Sequence, residues 1–341
     1  MRIDDVRPFG RVGFPVTVGG YSGAPIGNLF RPIVEDDAQA MIADSWDSGV
    51  RYFDTAPLYG HGLSEHRVGH GLLHRPRAEF VLVTKVGRRL YPQAPGTFPS
   101  GAWVEPGPFR AEFEYGYDSV LRQVEESLHR LCTDRVDILF IHDCDVYTHG
   151  PADQPARFRE AMAGAYPALR RLRDEGVVKA IGIGVNEASV CYAAIQEADL
   201  DCILLAGRYT LLGQEPLDDL MPACEEWGIA VVLGGVFNSG VLATGPVEGA
   251  KFNYDLAPAP VLEQARALQA ACARYDVPVP AAAVQFAAGH PAVASVLVGS
   301  RTLEQQRRNT EYFSVEIPDQ LWDDLRAAGL IREDAPTPGR M

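Results

Sequence analysis

Short apolar runs recur along this chain, separated by longer amphipathic stretches, and no other feature constrains the fold as strongly. The runs are residues 16–20 (VTVGG), 50–53 (VRYF), 80–84 (FVLVT), 136–141 (VDILFI), 178–184 (VKAIGIG), 201–206 (DCILLA), 229–234 (IAVVLG) and 294–298 (ASVLV). Each is too short for a helix of ordinary length. Near-continuous hydrophobicity is what a parallel strand needs when both of its faces are covered. Helix-like segments lie between them. Residues 35–48 open with three acids, as a helix N-terminus favours, and 119–131 line up Val120, Val124, Leu128 and Leu131 on one stripe. Segments 163–175 and 217–227 each run into a glycine suited to a C-terminal cap, Gly176 and Gly228. Segments 261–275, 302–310 and 319–328 complete the series.

Strand and helix alternating eight times predict an α/β fold with a parallel sheet and helical crossovers, and eight units can close into a (β/α)8 TIM barrel. An open doubly wound sheet is the alternative from alternation alone. One barrel domain is expected over 1–341. Two connections exceed ordinary length: 87–117, rich in proline and aromatic residues, and the shorter 246–260. Following the third and seventh strands, both should overhang the C-terminal face of the barrel, where active sites of this architecture lie. Trp103, Phe109 and Phe113 in the first loop either wall a substrate or pin the loop down.

Composition narrows the function. The chain is 47% hydrophobic and 22% charged, enough to bury a large core. A formal net charge of −14 argues against nucleic acid as a partner, although local basic groups can still hold a small phosphate. The six cysteines are scattered with no CxxC pair and read as reduced thiols, with neither a disulfide framework nor a zinc site. The charged N-terminus, broken by glycine and proline, lacks a signal-peptide core, and no run of ~18 apolar residues could span a membrane. A cytoplasmic protein with no membrane partner is expected.

Asp54 follows the second run, Lys85 the third and His142 the fourth; Tyr59 lies in the glycine-flanked loop PLYGHG. In a barrel these strand ends share one mouth. A free phenol, with pKa ~10, is a weak acid near neutrality, and an adjacent ammonium is expected to lower that value. Asp54 would hold Lys85 by a charge-assisted hydrogen bond, and His142 would orient a substrate oxygen. The set suits proton relay by Tyr59 while a cofactor carries a hydride. His142-Asp143-Cys144-Asp145 resembles a metal-ligand run, but successive strand residues face opposite ways, so no metal site is assigned. His61 and Arg208 are candidates for substrate contact beside Trp103; His61 with His66 otherwise lies at the rim, and Arg208 otherwise pairs with an acid.

FDTAPLYGHGLSEHRVG (53–69) resembles the signature of the aldo-keto reductase family, and TKVGR (84–88), residues 119–143, residues 169–189 and VGSRTLEQQRRN (298–309) fit the same family in the same order. The resemblance implies a nicotinamide-dependent oxidoreductase in which Asp54, Tyr59, Lys85 and His142 form the catalytic tetrad. It implies that Asn186 binds the nicotinamide carboxamide and that Ser300, Arg301, Thr302, Gln305 and Asn309 surround the cofactor's adenosine and phosphates. The chain departs from the family at Val185, usually serine, at Ala206, usually the carboxamide-binding glutamine, and at Gly234, usually the aromatic residue stacked on the nicotinamide. Gly299 and Gln305 replace basic residues that often hold a 2′-phosphate, which leans the expected cofactor toward NAD over NADP. These departures, with GIGVNE, LAGRYTLL and GGVFNSG, resemble a subgroup of D-threo-aldose (L-fucose) 1-dehydrogenases, L-galactose dehydrogenases and pyridoxal 4-dehydrogenases. The implied reaction is oxidation of a sugar hemiacetal to a lactone, with Tyr59 accepting the proton and an aldose or a pyridoxal-like aldehyde as the small-molecule substrate. Pyridoxal oxidation, NADPH-dependent carbonyl reduction, and a cofactor-sensing binding subunit are the alternatives.

Overall fold

The structure, a computed structural model, describes residues 1–94 and 96–339. Residues 95, 340 and 341, part of the long loop and the end of the expected domain, lie outside the described residues. Eight parallel strands close into a barrel in chain order: β1 (Gly19–Ser22), β2 (Tyr52–Asp54), β3 (Val81–Val86), β4 (Ile138–His142), β5 (Ala180–Val185), β6 (Cys202–Ala206), β7 (Ala230–Gly234) and β8 (Val293–Val298). The closed barrel excludes the open sheet. The expected first strand is displaced. Pro15–Thr17 pairs antiparallel with Val6–Pro8, and the chain enters the barrel only at Gly19. Apolar content could not separate these two strands, because both are buried on their inward sides.

Side-chain alternation sorts each strand. Tyr52, Val83, Phe140, Leu204 and Val232 face inward in one cluster, which Phe9 and Val16 of the N-terminal hairpin close from below. Phe9 lies 4.9 Å from Phe14 and 6.4 Å from Tyr52, ring centre to ring centre, and Arg11 N donates to Gly228 O. The opposite faces pack outward on the helices in a second, larger cluster. Two residues beyond the inner layer, the same alternation places Asp54, Lys85, His142, Ala206 and Gly234 at the C-terminal mouth, with Gly184 beside His142.

The expected helices form near their expected positions, among them Glu35–Asp47, Tyr117–Arg130 and Leu220–Trp227, the last capped by left-handed Gly228. Leu63–Leu72, Ala188–Glu197 and Val279–Ala288 carry no readable stripe; the last is buried almost all round, so its sequence shows no polar face. Val146–Glu160 was hidden by Pro151 and Pro155 and is kinked at Gly150. It continues through a π-turn, Ala161–Ala165, into Tyr166–Asp174.

The two long loops carry their own structure. In the first, Arg88–Pro92 pairs antiparallel with Phe109–Phe113. The segment reaches over the mouth, where Gly107 N donates to Gly60 O and Leu29 bridges to Trp103. In the second, Lys251–Phe252 pairs with Asp255–Leu256 around a left-handed turn at Asn253 and Tyr254. All six cysteines are free, with only Cys132 exposed. Among the described residues no helix is long and apolar enough to cross a membrane.

Candidate active site

The pairing of β2 with β3 sets Asp54 and Lys85 side by side inside the mouth, each 1% exposed. Lys85 Nζ donates to Asp54 Oδ1 at 2.7 Å, Asp54 Oδ2 at 2.8 Å and Thr55 O at 2.9 Å. An ammonium has three protons, so all are committed. Burial raises the Asp54 pKa, and Lys85 opposes that by charge and hydrogen bonding. Beyond Asp54 the chain turns through Thr55–Gly62 into the helix Leu63–Leu72. Ser64 Oγ, bonded to Thr55 Oγ1, donates to Gly23 O and ties the turn to β1. Gly60 is required there. Its φ is +64°, and a Cβ would lie 2.4 Å from Gly27 O.

That turn brings Tyr59 back over the barrel. Its ring lies 5.9 Å from the His142 ring, edge to face, and 5.7 Å from Trp103. Lys85 Nζ sits 4.7 Å from the ring centre, against the face of the phenol. The four expected residues therefore meet at one place, but one expectation about their chemistry is reversed. The Tyr59 pKa is pushed well up, first by burial and then by Asp54 and Asp143, with Arg88 opposing. The carboxylates outweigh the ammonium because Lys85 spends its protons and charge on Asp54. His142 shifts in the other direction. Burial, then Lys85 and Arg88, hold its pKa well below the usual imidazole value, so the ring is neutral. His142 Nδ1 is buried and has no hydrogen-bond partner.

Cofactor and substrate candidates divide into three groups. Asn186 is held at the end of β5 by Asp145, whose Oδ2 accepts from its backbone N at 2.7 Å and its Nδ2 at 3.3 Å. Asp145 Oδ1 accepts from Thr148 N and so caps the helix Val146–Glu160. The acid of the HDCD run thus fixes an amide, and Asp143 pairs with Arg88. Among the described residues no group of three or more His, Cys, Asp or Glu could hold a metal.

At the end of β8, Ser300 Oγ donates to Gln306 Oε1 and accepts from Asn309 Nδ2. Thr302 caps the following helix through Gln305 N, and Gln305 Oε1 accepts from Arg301 N. Arg301 lies 5.6 Å and Lys251 4.1 Å from the ring centre of Phe30, and Arg31 reaches Arg301 O. None of these three cations is ion-paired among the described residues. Burial and Arg31 lower the Arg301 pKa, as crowded like charges would. Such a cluster above a helix N-terminus can hold the phosphates of a dinucleotide. Phe30, Arg31 and Lys251 gave no sequence signal; they meet only because Arg67 anchors the loop through Ile26 O, Ile33 O and Asn28 Oδ1.

The half of the mouth opposite the tetrad is bare. Gly184, Ala206 and Gly234 point inward there, and a Cβ at Gly184 or Gly234 would meet only ordinary contacts, 3.5 Å or more away. The barrel does not need these glycines, so the space they leave suits the face of a flat ring. Val185 turns outward into the helix layer. Gly234 supplies no stacking ring, and Phe237 packs on that same outer layer. The orphaned His142 Nδ1, the bare cradle and the basic cluster together fit a nicotinamide dinucleotide.

The remaining candidates brace loops. His61, 4% exposed, donates from Nδ1 to Phe109 O at 2.6 Å and stacks on Phe98. Its neighbour His66 is exposed. Arg208 donates to Asn253 Oδ1 at 2.7 Å, so neither an acid nor open solvent takes that proton. Phe113 carries Arg88 on its ring face at 4.1 Å. Trp103 alone of the expected substrate candidates stands beside Tyr59.

Comparison with known proteins agrees with this geometry. Residues 19–329 match the model of the aldo/keto reductase family. The chain is 41% identical over 340 residues to pyridoxal 4-dehydrogenase of Microbacterium luteolum, covering 97% of this chain and 99% of that one. It is also 41% identical over 332 residues to D-threo-aldose 1-dehydrogenase of a Pseudomonas species, covering 96% and 97%. In fold it is similar to an aldo-keto reductase of Bacillus halodurans in its holo form, with a TM-score of 0.73, 24% identity and 99% of each chain covered. The chain belongs to the aldo/keto reductase family and is an NAD(P)-dependent oxidoreductase.

Proposed function

We propose that the protein oxidises an aldose at its anomeric carbon to a lactone, with Asp54, Tyr59, Lys85 and His142 as the catalytic group. The observation that carries this is the meeting of Tyr59, neutral His142 and the Asp54–Lys85 pair beside a bare cradle at one barrel mouth. The likeness to D-threo-aldose 1-dehydrogenase supports the substrate class. When bound, the nicotinamide supplies the carbon that accepts the hydride from the anomeric C–H bond. The chain manages the proton and the oxygen. His142, neutral, donates a hydrogen bond to the anomeric oxygen and orients it. Tyr59 accepts the hydroxyl proton as the C=O bond forms. Lys85, held by Asp54, keeps a positive charge against the phenol as it cycles through phenolate. Asn186 holds the carboxamide, while Ser300, Arg301, Thr302 and Asn309 hold the adenosine and phosphates. NAD is the preferred cofactor, because Gly299 and Gln305 carry no charge, Gln305 is spent on Arg301 N and Arg308 pairs with Glu304.

A second reading is pyridoxal oxidation, favoured by Trp103 beside Tyr59 as a platform for a pyridine ring and by the equal identity to pyridoxal 4-dehydrogenase. Incubating pure protein with NAD or NADP and L-fucose, D-arabinose, L-galactose or pyridoxal at alkaline pH separates the readings by which substrate yields reduced cofactor. Absence of reduced cofactor from all four would sink the dehydrogenase. Tyr59→Phe should lower turnover by at least ~10²-fold while cofactor still binds. Unchanged turnover would remove Tyr59 from the chemistry.

A further inference from the structure

The tetrad accounts for one ion pair at the mouth, and the structure holds a second. Arg88 Nη2 donates to Asp143 Oδ2 at 2.7 Å. The two side chains are 14% and 11% exposed, so the pair is nearly but not wholly withdrawn from solvent. Asp143 follows His142 directly and takes a left-handed backbone, φ 53°, which turns its carboxylate back along the mouth. Buried Tyr115 braces this bend by donating from its hydroxyl to both His142 O and Asp143 O. Asp143 Oδ1 then lies 3.5 Å from His142 Nε2, and the charges of both Asp143 and Arg88 bear on the Tyr59 phenol.

A purely structural pair would be expected to close on itself. This one does not. Arg88 Nε is buried without a hydrogen-bond partner, and Asp143 Oδ1 accepts no hydrogen bond from any described residue. Arg88 packs over Phe113, its guanidinium carbon 4.1 Å from the ring centre, which braces the group whose edge carries its hydrogen-bond donors. One carboxylate oxygen of the pair, Asp143 Oδ1, is therefore left over beside the ring that orients the reacting oxygen, with the Arg88 guanidinium bound to the other. The oxygens on two adjacent carbons are spaced closely enough to be met by two groups 3.5 Å apart. A simple aldehyde has no hydroxyl to offer Asp143 Oδ1, so that hydrogen bond to a charged acceptor is not made.

We propose that Asp143 and Arg88 are the specificity-determining pair of this enzyme, Asp143 Oδ1 accepting from the hydroxyl on the carbon next to the reacting one and Arg88 donating to an oxygen beyond it. The proposal rests on the aldose reading above and adds to it the hydroxyl that is read and the side chains that read it. No proton is transferred by the pair. It selects polyhydroxylated substrates over aldehydes of similar size that lack the hydroxyl.

The test is a ratio. D-arabinose and 2-deoxy-D-ribose differ only in the hydroxyl next to the anomeric carbon, so kcat/KM for the two with the same cofactor isolates that contact. The native enzyme should prefer D-arabinose by on the order of ten- to a hundredfold, the size of a hydrogen bond to a charged group. Asp143→Asn should bring the ratio toward one, mainly by lowering the D-arabinose value. A variant that lowers both substrates equally would make the pair a structural brace and overturn the proposal, as would a native ratio near one. If Asp143→Asn does not fold, Arg88→Lys, which keeps the charge but removes the fork, must lower the same ratio. Native enzyme that turns over neither sugar would overturn the aldose reading itself, a result distinct from an unaltered ratio.

Discussion

Tyr59 and His142 are neighbours whose pKa values move in opposite directions, and one cause, removal from water, is the largest in both. A phenol raised above its ordinary value keeps its proton through neutrality, and an imidazole lowered below its ordinary value stays neutral down to acid pH. In the oxidative direction Tyr59 must lose its proton, so kcat/KM should climb as pH rises from 7 to 10. It should show no separate loss from His142 protonation until well below pH 6.5. In the reductive direction the protonated phenol is already present, and the same interval should be nearly flat. Paired pH profiles measured in both directions check this; an oxidative rate that falls above pH 8 would contradict it. The residues were legible one by one, because acid, amine and imidazole each sit at the end of an apolar run. Their pKa directions were not, since the effect of Lys85 on Tyr59 depends on where three protons point, and all three point elsewhere.

At the level of elements, the turn Lys251–Leu256 illustrates how loops complete a barrel site. Tyr254 reaches between Phe30, 6.4 Å away, and Tyr147, 6.0 Å away, and so spans the mouth from the β1 side to the β4 side. Arg208 beyond β6 holds the turn by its bond to Asn253. Removing that charge-assisted bond should loosen the turn and with it Lys251. Arg208→Ala is expected to raise the cofactor dissociation constant by roughly ten-fold, a loss of about 1.4 kcal/mol, with a smaller change in thermal stability. Fluorescence titration with the nucleotide measures it; an unchanged constant would show that the turn does not bear on the cofactor. Position and length of this loop were readable from its place after the seventh run. Its partners were not, because Phe30, Tyr147 and Arg208 come from three distant parts of the chain.

For the whole molecule, the mouth depends on a barrel plugged at its other end. Phe9 is fully buried beneath the inner layer, between Phe14 and Tyr52, and Tyr52 is two residues from Asp54 on the same strand. Deleting that ring leaves a cavity that the closed barrel cannot easily collapse. Phe9→Ala should cost about 3–5 kcal/mol, seen as a lower denaturant midpoint with an unchanged slope. A cost below about 1 kcal/mol would mean that the hairpin is an appendage and no part of the core.

By itself the sequence determined the eightfold strand–helix alternation that a barrel needs, and three polar residues at successive strand ends, Asp54, Lys85 and His142, with Tyr59 in the loop after the first of them. These follow from local periodicity, and alternation along a strand carries a side chain's facing from one residue to the next. Tertiary structure decided the rest. It moved the first strand from Val16 to Gly19, because pairing partners and not apolar content choose between two buried strands. It turned Asp143, which looked like part of a metal-ligand run, toward Arg88 by a single left-handed residue. It also set Lys251 and Arg301 against the Phe30 ring and brought Arg31 to the Arg301 carbonyl, joining three distant loops. Contacts between residues distant in the chain leave no periodic trace, so only closure of the barrel could reveal them.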